Sequence, residues 1–531
     1  MTTGGYQTSA QRDRTLLPVI SGMALAAAFP PFSFYPIITV ALLPLLFSAH
    51  GAGWRAGFRA GFITGLTFFA MLIWWIAPAI SVYGKMPWFA AWPAMALLAC
   101  YLACFYGIWA GIWGAITPTA GHSFTHDMLF PSLSMAGISV VLEWLRGEAI
   151  LGGFPWGMPA YALAPVPEMI QSAAVWGVYG ISFSIVFINI CLFYIFFPPA
   201  NRRKKLFRTG ALTMAVIVAS LNYCCGMLPN HNRNSSGKIA AAALQGAFPQ
   251  DIKWNREVRE LTLDRYERLG KDILKTLPDK SAMPRLLVWP ETALPFCLQE
   301  KGTWRDRMLS MVKGLGAATM AGSQAYIREK DGNILYLNSA YMIAPEGSVT
   351  SRYDKEHLVP FGEYLPFEKY IGWARKYMPT AGNFSSGRNH LPLTYGKIRA
   401  GVQICFESIF PEISRRAVNH GANILTVITN DAWFGKTGAP YQHADMAVFR
   451  AVETGRWLIR AANTGVSAII SPRGRTVEKT EIFEPAATGH VVELKEGRTF
   501  YVEHGDNWII VLCLCLAALQ FPRFLKAVRT P

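Results

Sequence analysis

Seven apolar stretches of this chain carry no Asp, Glu, Lys or Arg: Leu16–Trp54, Ala60–Gly84, Met86–Thr125, Met128–Leu142, Met169–Asn201, Thr209–Asn232 and Asn507–Pro522. A helix that crosses a bilayer needs about 20 apolar residues, and within the hydrocarbon it must satisfy its own backbone polar groups. Leu16–Trp54 is long enough for two spans, with a Pro-rich turn near Pro30, Pro31 and Pro36. The other six stretches supply one span each, so the sequence predicts about eight. Arg12 and Arg14 precede an Ala-rich run in the manner of a signal peptide. The chain continues straight into further apolar sequence, so the expectation is an uncleaved span.

Charge divides the chain in two. Residues 1–230 hold 11 Lys/Arg and 5 Asp/Glu, whereas the remaining 301 residues hold 39 and 29. The predicted organisation is a membrane domain at 1–230 with about seven spans, a water-exposed domain at 231–500, and a last span with a short tail at 501–531. The basic clusters Arg202, Arg203, Lys204, Lys205, Arg208 and Arg523, Lys526, Arg529 flank the seventh and last spans. Positive residues stay on the cytoplasmic side, so the domain between those spans is expected on the far side. In a bacterium with two membranes, that places the chain in the inner membrane with this domain in the periplasm. The net charge of +16 accompanies no basic helix stripe or RNA-binding motif. It reads as positive-inside loops and attraction to anionic lipid, with no nucleic-acid partner. Glu143 and Arg146, ionisable residues in the membrane part, read as an ion pair near a membrane boundary.

Of nine cysteines, only Cys297 and Cys405 fall in the exported domain. An oxidising compartment permits a disulfide between them, which would silence either as a nucleophile. The histidines show no ligand spacing and no HExxH or CxxC pattern occurs, so no metal is expected. Apolar strands at 238–246, 285–290, 317–327, 338–345, 397–404, 422–429, 458–472 and 488–494 alternate with helices at 255–276, 303–315, 410–419 and 440–457, around an irregular stretch at 352–390. That alternation predicts a layered α/β domain.

Three segments carry chemistry. In WPETALP, Glu291 closes an apolar strand; a desolvated carboxyl there becomes a better base at neutral pH. In YDKEHLVPFGEYLP, Lys355 stands among charged neighbours ahead of a turn bearing Glu363, and a buried ammonium can stabilise an oxyanion. In GVQICFESIFPE, Cys405 sits where a strand turns into a helix, a setting that activates a thiol and is shaped like a nucleophile elbow. Taken singly, each segment also suits an ordinary structural role: a capping Glu, a solvated charge cluster, a core Cys.

Taken together they resemble the nitrilase superfamily, whose members carry a Glu–Lys–Cys triad on an αββα sandwich. NDAWF (430–434) and RAVETGRWLIRAANTG (450–465) extend the likeness. With spans on both sides and GGFPWG at 152–157, the chain resembles the apolipoprotein N-acyltransferase family of membrane-embedded nitrilase relatives. The resemblance implies that Cys405 takes an acyl chain from a phospholipid as a thioester, with Glu291 as base and Lys355 as oxyanion partner. The implied acceptor is the α-amino group of a diacylglyceryl-modified cysteine on an apolipoprotein. It implies supporting roles for Glu363 and Glu407 and a lipid-binding set of Trp254, Phe406, Trp433 and Phe434, with no cofactor. Three rivals compete: a membrane-tethered nitrilase-type amidohydrolase using water, a transporter with an exported sensor domain, and a papain-like pairing of Cys405 with His443.

Overall fold

The computed structural model describes residues 4–116, 125–198, 204–227, 234–250, 256–330, 332–366, 368–372, 382–522 and 524–525. Trp254 lies outside these residues, as do Arg202, Arg203, Arg523, Lys526 and Arg529 of the basic clusters. The chain divides into two compact units, Met1–Ala77 with Phe89–Leu228 and His504–Pro531, and Pro78–Trp88 with Pro229–Glu503.

The first unit is helical. Four helices among the described residues are long and apolar enough to cross a membrane: Trp88–Ala115, Asp127–Ala149, Ala173–Phe196 and Lys204–Cys225. A fifth span arises if Gly53–Leu72 and Ile76–Val82, bent by 47°, count as one. The bend precedes Pro78, whose ring would clash with the carbonyl four residues back in a straight helix. Leu16–Ala27, Tyr35–Ala49 and Asn507–Ala518 are shorter apolar helices, so four to five spans meet the length requirement where the sequence predicts about eight. Small residues let helices approach closely where lipid supplies no hydrophobic drive between them. A Cβ on Gly61 would stand 2.2 Å from the Tyr106 carbonyl oxygen of the neighbouring helix. Lys204–Cys225 exposes Leu206, Leu212, Val216, Ile217 and Leu221, an apolar face suited to lipid.

Among the described residues the second unit holds twelve strands: β1 (Ser235–Gln245), β2 (Arg285–Val288), β3 (Ala318–Arg328), β4 (Ile334–Ile343), β5 (Val349–Asp354), β6 (Leu393–Tyr395), β7 (Ile398–Ile404), β8 (Ile424–Thr429), β9 (Leu458–Ala462), β10 (Ala468–Ile470), β11 (Thr476–Lys479) and β12 (Ala486–Lys495). They form two six-stranded mixed sheets, ordered β12-β1-β2-β3-β4-β5 and β11-β10-β9-β8-β7-β6. In each sheet three central strands are parallel, β1-β2-β3 in one and β7-β8-β9 in the other.

Side-chain alternation explains the layering. Successive strand residues point to opposite faces. Ile239, Ala241 and Ala243 of β1 share the inter-sheet core with Val402, Ile404, Ile428 and Ile459 of the other sheet. Ala242 and Leu244 turn outward, into the layer that holds Leu263 and Tyr266 of helix Arg256–Thr276 and Met308 and Val312 of helix Thr303–Leu315. Helices Pro411–Asn419 and Ala439–Thr454 pack on the second sheet. The result is a layered α/β domain, as the strand–helix alternation predicts, with the αββα order that the resemblance implies.

Three strands depart from the sequence reading: β6, which is only three residues long, and the longer β5 and β11. β5 begins ahead of the stretch expected to be irregular, pairing antiparallel with β4 through a Gly347 turn. β11 is an edge strand. Both are rich in polar residues, so neither shows the apolar signature of a buried strand.

Candidate active site

Each candidate catalytic residue follows the end of a strand. β2 runs into Trp289, fully buried and stacked on Tyr266 at 4.4 Å, and then into Glu291. The turn is tight: Thr292 has φ +45°. A Cβ on Gly322 of the adjacent strand would lie 2.5 Å from both the Pro290 carbonyl oxygen and the Thr292 nitrogen, so only glycine lets β3 pass this close to the Glu291 turn. Lys355 directly follows β5, and its N–H donates to the Asn338 carbonyl at 2.8 Å, extending the ladder with β4. Cys405 follows β7 with φ +55°, starts a 3₁₀ turn over Cys405–Ile409, and leads into helix Pro411–Asn419. A left-handed backbone on a residue with a Cβ costs about 1–3 kcal/mol and persists only where its surroundings hold it.

The side chains converge. Lys355, 1% exposed, places Nζ 2.8 Å from Glu363 and 3.8 Å from Glu291. Asn338 donates to Glu291 at 2.7 Å and to Glu363 at 3.0 Å, tying the two carboxylates together. The other oxygen of Glu291 accepts the Asn430 backbone N–H at 2.9 Å. The sequence reading placed Glu291 in a dry neighbourhood. It is buried, but its surroundings are polar: an amide, a backbone N–H and an ammonium.

Electrostatics give each group its state. Burial alone would lower the Lys355 pKa, but Glu363 and Glu291 outweigh it and the ammonium is held charged. Burial, then the Glu291 charge, pushes the Cys405 thiol up, while Lys355 acts the other way. The thiolate is therefore not preformed at neutral pH, and the thiol needs a base to take its proton.

Glu407 is fully buried beneath the nucleophile. It accepts the Ile404 N–H at 2.7 Å on one oxygen, and the Glu356 N–H at 2.6 Å, the His357 N–H at 3.1 Å and the Tyr353 hydroxyl at 3.0 Å on the other. It thus staples the strand entering Cys405 to the segment following Lys355. Burial pushes its carboxyl up to about 7, with those backbone hydrogen bonds and Lys355 acting the other way.

The structure therefore gathers Glu291, Lys355, Glu363, Cys405 and Glu407. Phe406 packs edge-on to Phe410 at 5.2 Å and lies 5.8 Å from the His357 ring. Trp433 is 37% exposed and meets Tyr83 edge-on at 5.4 Å. Phe434 lies against His443 at 6.1 Å, and Trp254 is outside the described residues. Cys297 and Cys405 are both free thiols. His443 reaches the carbonyl oxygen of Cys405 at 3.2 Å, a geometry that supports the turn and differs from a papain-like pair. Sequence reasoning missed Asn338 and the Asn430 N–H, which hold the two oxygens of Glu291. A lone Asn entering the apolar strand β4 was the available signal for the first. Among the described residues, no group of three or more His, Cys, Asp or Glu is placed to hold a metal.

Residues 21–191 match the family model described as the apolipoprotein N-acyltransferase N-terminal domain, and residues 262–487 match the carbon-nitrogen hydrolase model. The apolipoprotein N-acyltransferase of Geobacter metallireducens is 37% identical over 96% of this chain and 95% of its own length. This chain belongs to the apolipoprotein N-acyltransferase family. The apolipoprotein N-acyltransferases of Nitrosomonas europaea and Allorhizobium ampelinum are each 30% identical, over 92% and 96% of this chain and 93% and 96% of their own lengths. As a member of this family the protein is an acyltransferase enzyme of the nitrilase superfamily, with a carbon-nitrogen hydrolase domain and a unit of apolar helices. Glu291, Lys355 and Cys405 all fall within the hydrolase match.

Proposed function

We propose that the enzyme moves an acyl chain from a membrane phospholipid to the α-amino group of a diacylglyceryl-modified apolipoprotein cysteine, by way of a thioester on Cys405. One observation carries this reading: a buried carboxylate and ammonium and a half-buried thiol gather at strand ends in a chain whose other unit is built of apolar helices. Glu291 takes the thiol proton as the sulfur attacks the ester carbonyl. Lys355 faces the oxyanion, in a dry setting where a fixed charge acts strongly. The intermediate collapses and the lysophospholipid oxygen leaves with the proton from Glu291. The acceptor amine then attacks the thioester, Glu291 removes its proton, and the sulfur departs to regain that proton. Glu363 keeps Lys355 in place, and Glu407 holds the elbow. Phe406, Trp433, Phe434 and Trp254 form the lipid-binding set.

The rival amidohydrolase reading sends water to the same thioester. Incubation with phospholipid and a diacylglyceryl-cysteine peptide separates them by mass spectrometry. Acyl transfer yields the N-acyl peptide, and acetylating the peptide's amine beforehand stops product formation. Free fatty acid at an equal rate with the blocked peptide would favour the hydrolase.

The reading also places about eight spans in the bacterial inner membrane, counting the three shorter apolar helices. It takes 1–230 as the membrane domain, 231–500 as a periplasmic catalytic domain and 501–531 as a last span with a cytoplasmic tail. A reporter active only in the periplasm should work when fused near Ser235 and fail after Pro531; the reverse pattern would overturn this orientation.

A further inference from the structure

Asn338 lies on β4, where Ala340 and Met342 follow it at alternate positions in the inter-sheet core. A polar residue in that column, 3% exposed, is costly unless its hydrogen bonds are made. Its amide nitrogen makes two, to Glu291 Oε1 at 2.7 Å and to Glu363 Oε1 at 3.0 Å. Its side-chain oxygen is buried with no partner among the described residues. Its backbone carbonyl takes the Lys355 N–H at 2.8 Å. The strand order brings these groups together. β4 stands between β3, against whose Gly322 the Glu291 turn is packed, and β5, which ends just ahead of Lys355. Glu363 fixes which way the amide points, since Lys355 Nζ at 2.8 Å and the Val359 N–H at 2.9 Å hold that carboxylate in turn. Turned over, the amide would set its oxygen against two carboxylates.

From this geometry we infer that Asn338 is a positioning residue of the acyl transfer, acting through Glu291: anchored on Glu363, it holds the Glu291 carboxylate in place as a proton-free acceptor for the Cys405 thiol. The inference rests on the proposed roles of Glu291 as base and Cys405 as nucleophile. An NH2 group has only protons to offer, so the carboxylate oxygens that face it must be bare. Lys355 does not hold Glu291 this closely, because its Nζ is 3.8 Å from Glu291 and 2.8 Å from Glu363. Asn338 supplies the nearer contact, and the Asn430 N–H at 2.9 Å meets the other oxygen. Two donors on two oxygens fix the plane of the carboxylate, and an ionised carboxylate keeps further lone pairs free to take a proton. The protons balance. As the sulfur bonds to the ester carbonyl, its proton moves to Glu291. As the bond from that carbonyl to the lysophospholipid oxygen breaks, the proton moves to the departing oxygen. A donor that bonds the charged form favours that form, so Asn338 promotes the return to bare carboxylate.

Single-turnover acylation by labelled phospholipid in detergent tests this on Asn338→Leu, which keeps the branched shape and removes both donors. The saturating rate should fall about 10–100-fold, the scale of a displaced reacting group, with the half-saturating phospholipid concentration unchanged. The charged and titratable groups about Glu291 are Lys355, Glu363 and Cys405, and the substitution leaves all three in place. The acidic limb of the pH–rate profile should move up by about one unit, the scale of one hydrogen bond to a charged group. In a Glu291→Gln background, Asn338→Leu should cost less than about threefold more, because two changes that act through one residue do not add. Should thermal unfolding show that Asn338→Leu does not fold, Asn338→Ala should give the same displaced limb. A wild-type rate, a loss confined to half-saturation, an acidic limb that stays in place, or the full loss repeated in Glu291→Gln would overturn the inference. If the wild-type enzyme itself formed no acyl-thioester, the functional reading would be at fault instead. Iodoacetamide alkylation at Cys405 across the same pH range, read by peptide mass spectrometry without lipid, would still decide the role of Asn338. Its acidic limb should move up in Asn338→Leu, and an unmoved limb would reject that role.

Discussion

Cys405→Ala will leave a folded protein that forms no acyl-enzyme and no N-acyl product. The substitution removes one sulfur at a partly buried turn, and alanine keeps the Cβ that the left-handed backbone already accommodates. The chemical loss is total for this route, because nothing else in the buried cluster is a nucleophile for an ester. Removing the nucleophile of a comparable acyl-transfer site costs about 10⁶ in rate, so product should fall below detection. Cys297→Ser is the matched control. Its thiol is free and sits with Glu300 for a charged neighbour, apart from the Glu291–Lys355 pair. Turnover should survive that change. A folded Cys297→Ser as inactive as Cys405→Ala would mean the nucleophile is misassigned.

Glu291→Gln and Lys355→Met should both slow acylation and should part company with pH. A general base contributes about 10²–10⁴-fold, and one oxyanion donor about 10²–10³-fold. Burial and the Glu291 charge hold the thiol pKa up, so over the neutral to mildly alkaline range the thiol stays mostly protonated. In Glu291→Gln, hydroxide must make the thiolate, and the rate should climb about tenfold for each pH unit in that range. Removing the carboxylate charge also removes a repulsion that opposed ionisation, which assists the rescue. In Lys355→Met, raising pH supplies no replacement for the missing charge. The sulfur also loses the cation that lowered its pKa, and Glu291 and Glu363 lose the ammonium between them. Breaking a buried ion pair costs about 3–5 kcal/mol, so rates are to be expressed per folded protein, measured by thermal unfolding. Single-turnover acylation across about two pH units above neutral reads the difference. Equal rescue of both variants, or wild-type rates in either, would contradict these roles.

Much of the site is legible in the sequence because its residues lie in short motifs at strand ends, where an apolar run stops at a lone Glu, Lys or Cys. The supports are harder to see. Asn338, and Asp431 in its buried pair with Arg460, each look like ordinary polar residues in or beside a strand. Their role comes from what lies across the fold: Asn338 joins carboxylates 47 and 25 residues away, and Asp431 reaches an arginine 29 residues on. Local pattern holds no record of such pairings. The polar setting of Glu291 escaped notice for the same reason, since its apolar strand announces burial while its partners come from β4 and from the residue after β8. The helical unit shows the converse. Charge-free runs mark apolar helices plainly, but composition does not say which of the shorter ones extend through a bilayer.

The central claim is that Cys405 carries the acyl chain between two lipids, and trapping that intermediate tests it most directly. Purified enzyme is mixed with labelled phospholipid alone, quenched in acid, digested and analysed by mass spectrometry. The account predicts one acyl group on the Cys405 peptide, released by hydroxylamine. On addition of a diacylglyceryl-cysteine peptide, that label should pass to the peptide's amine as the thioester disappears. Label on another residue, or N-acyl peptide formed with Cys405 never modified, would contradict it.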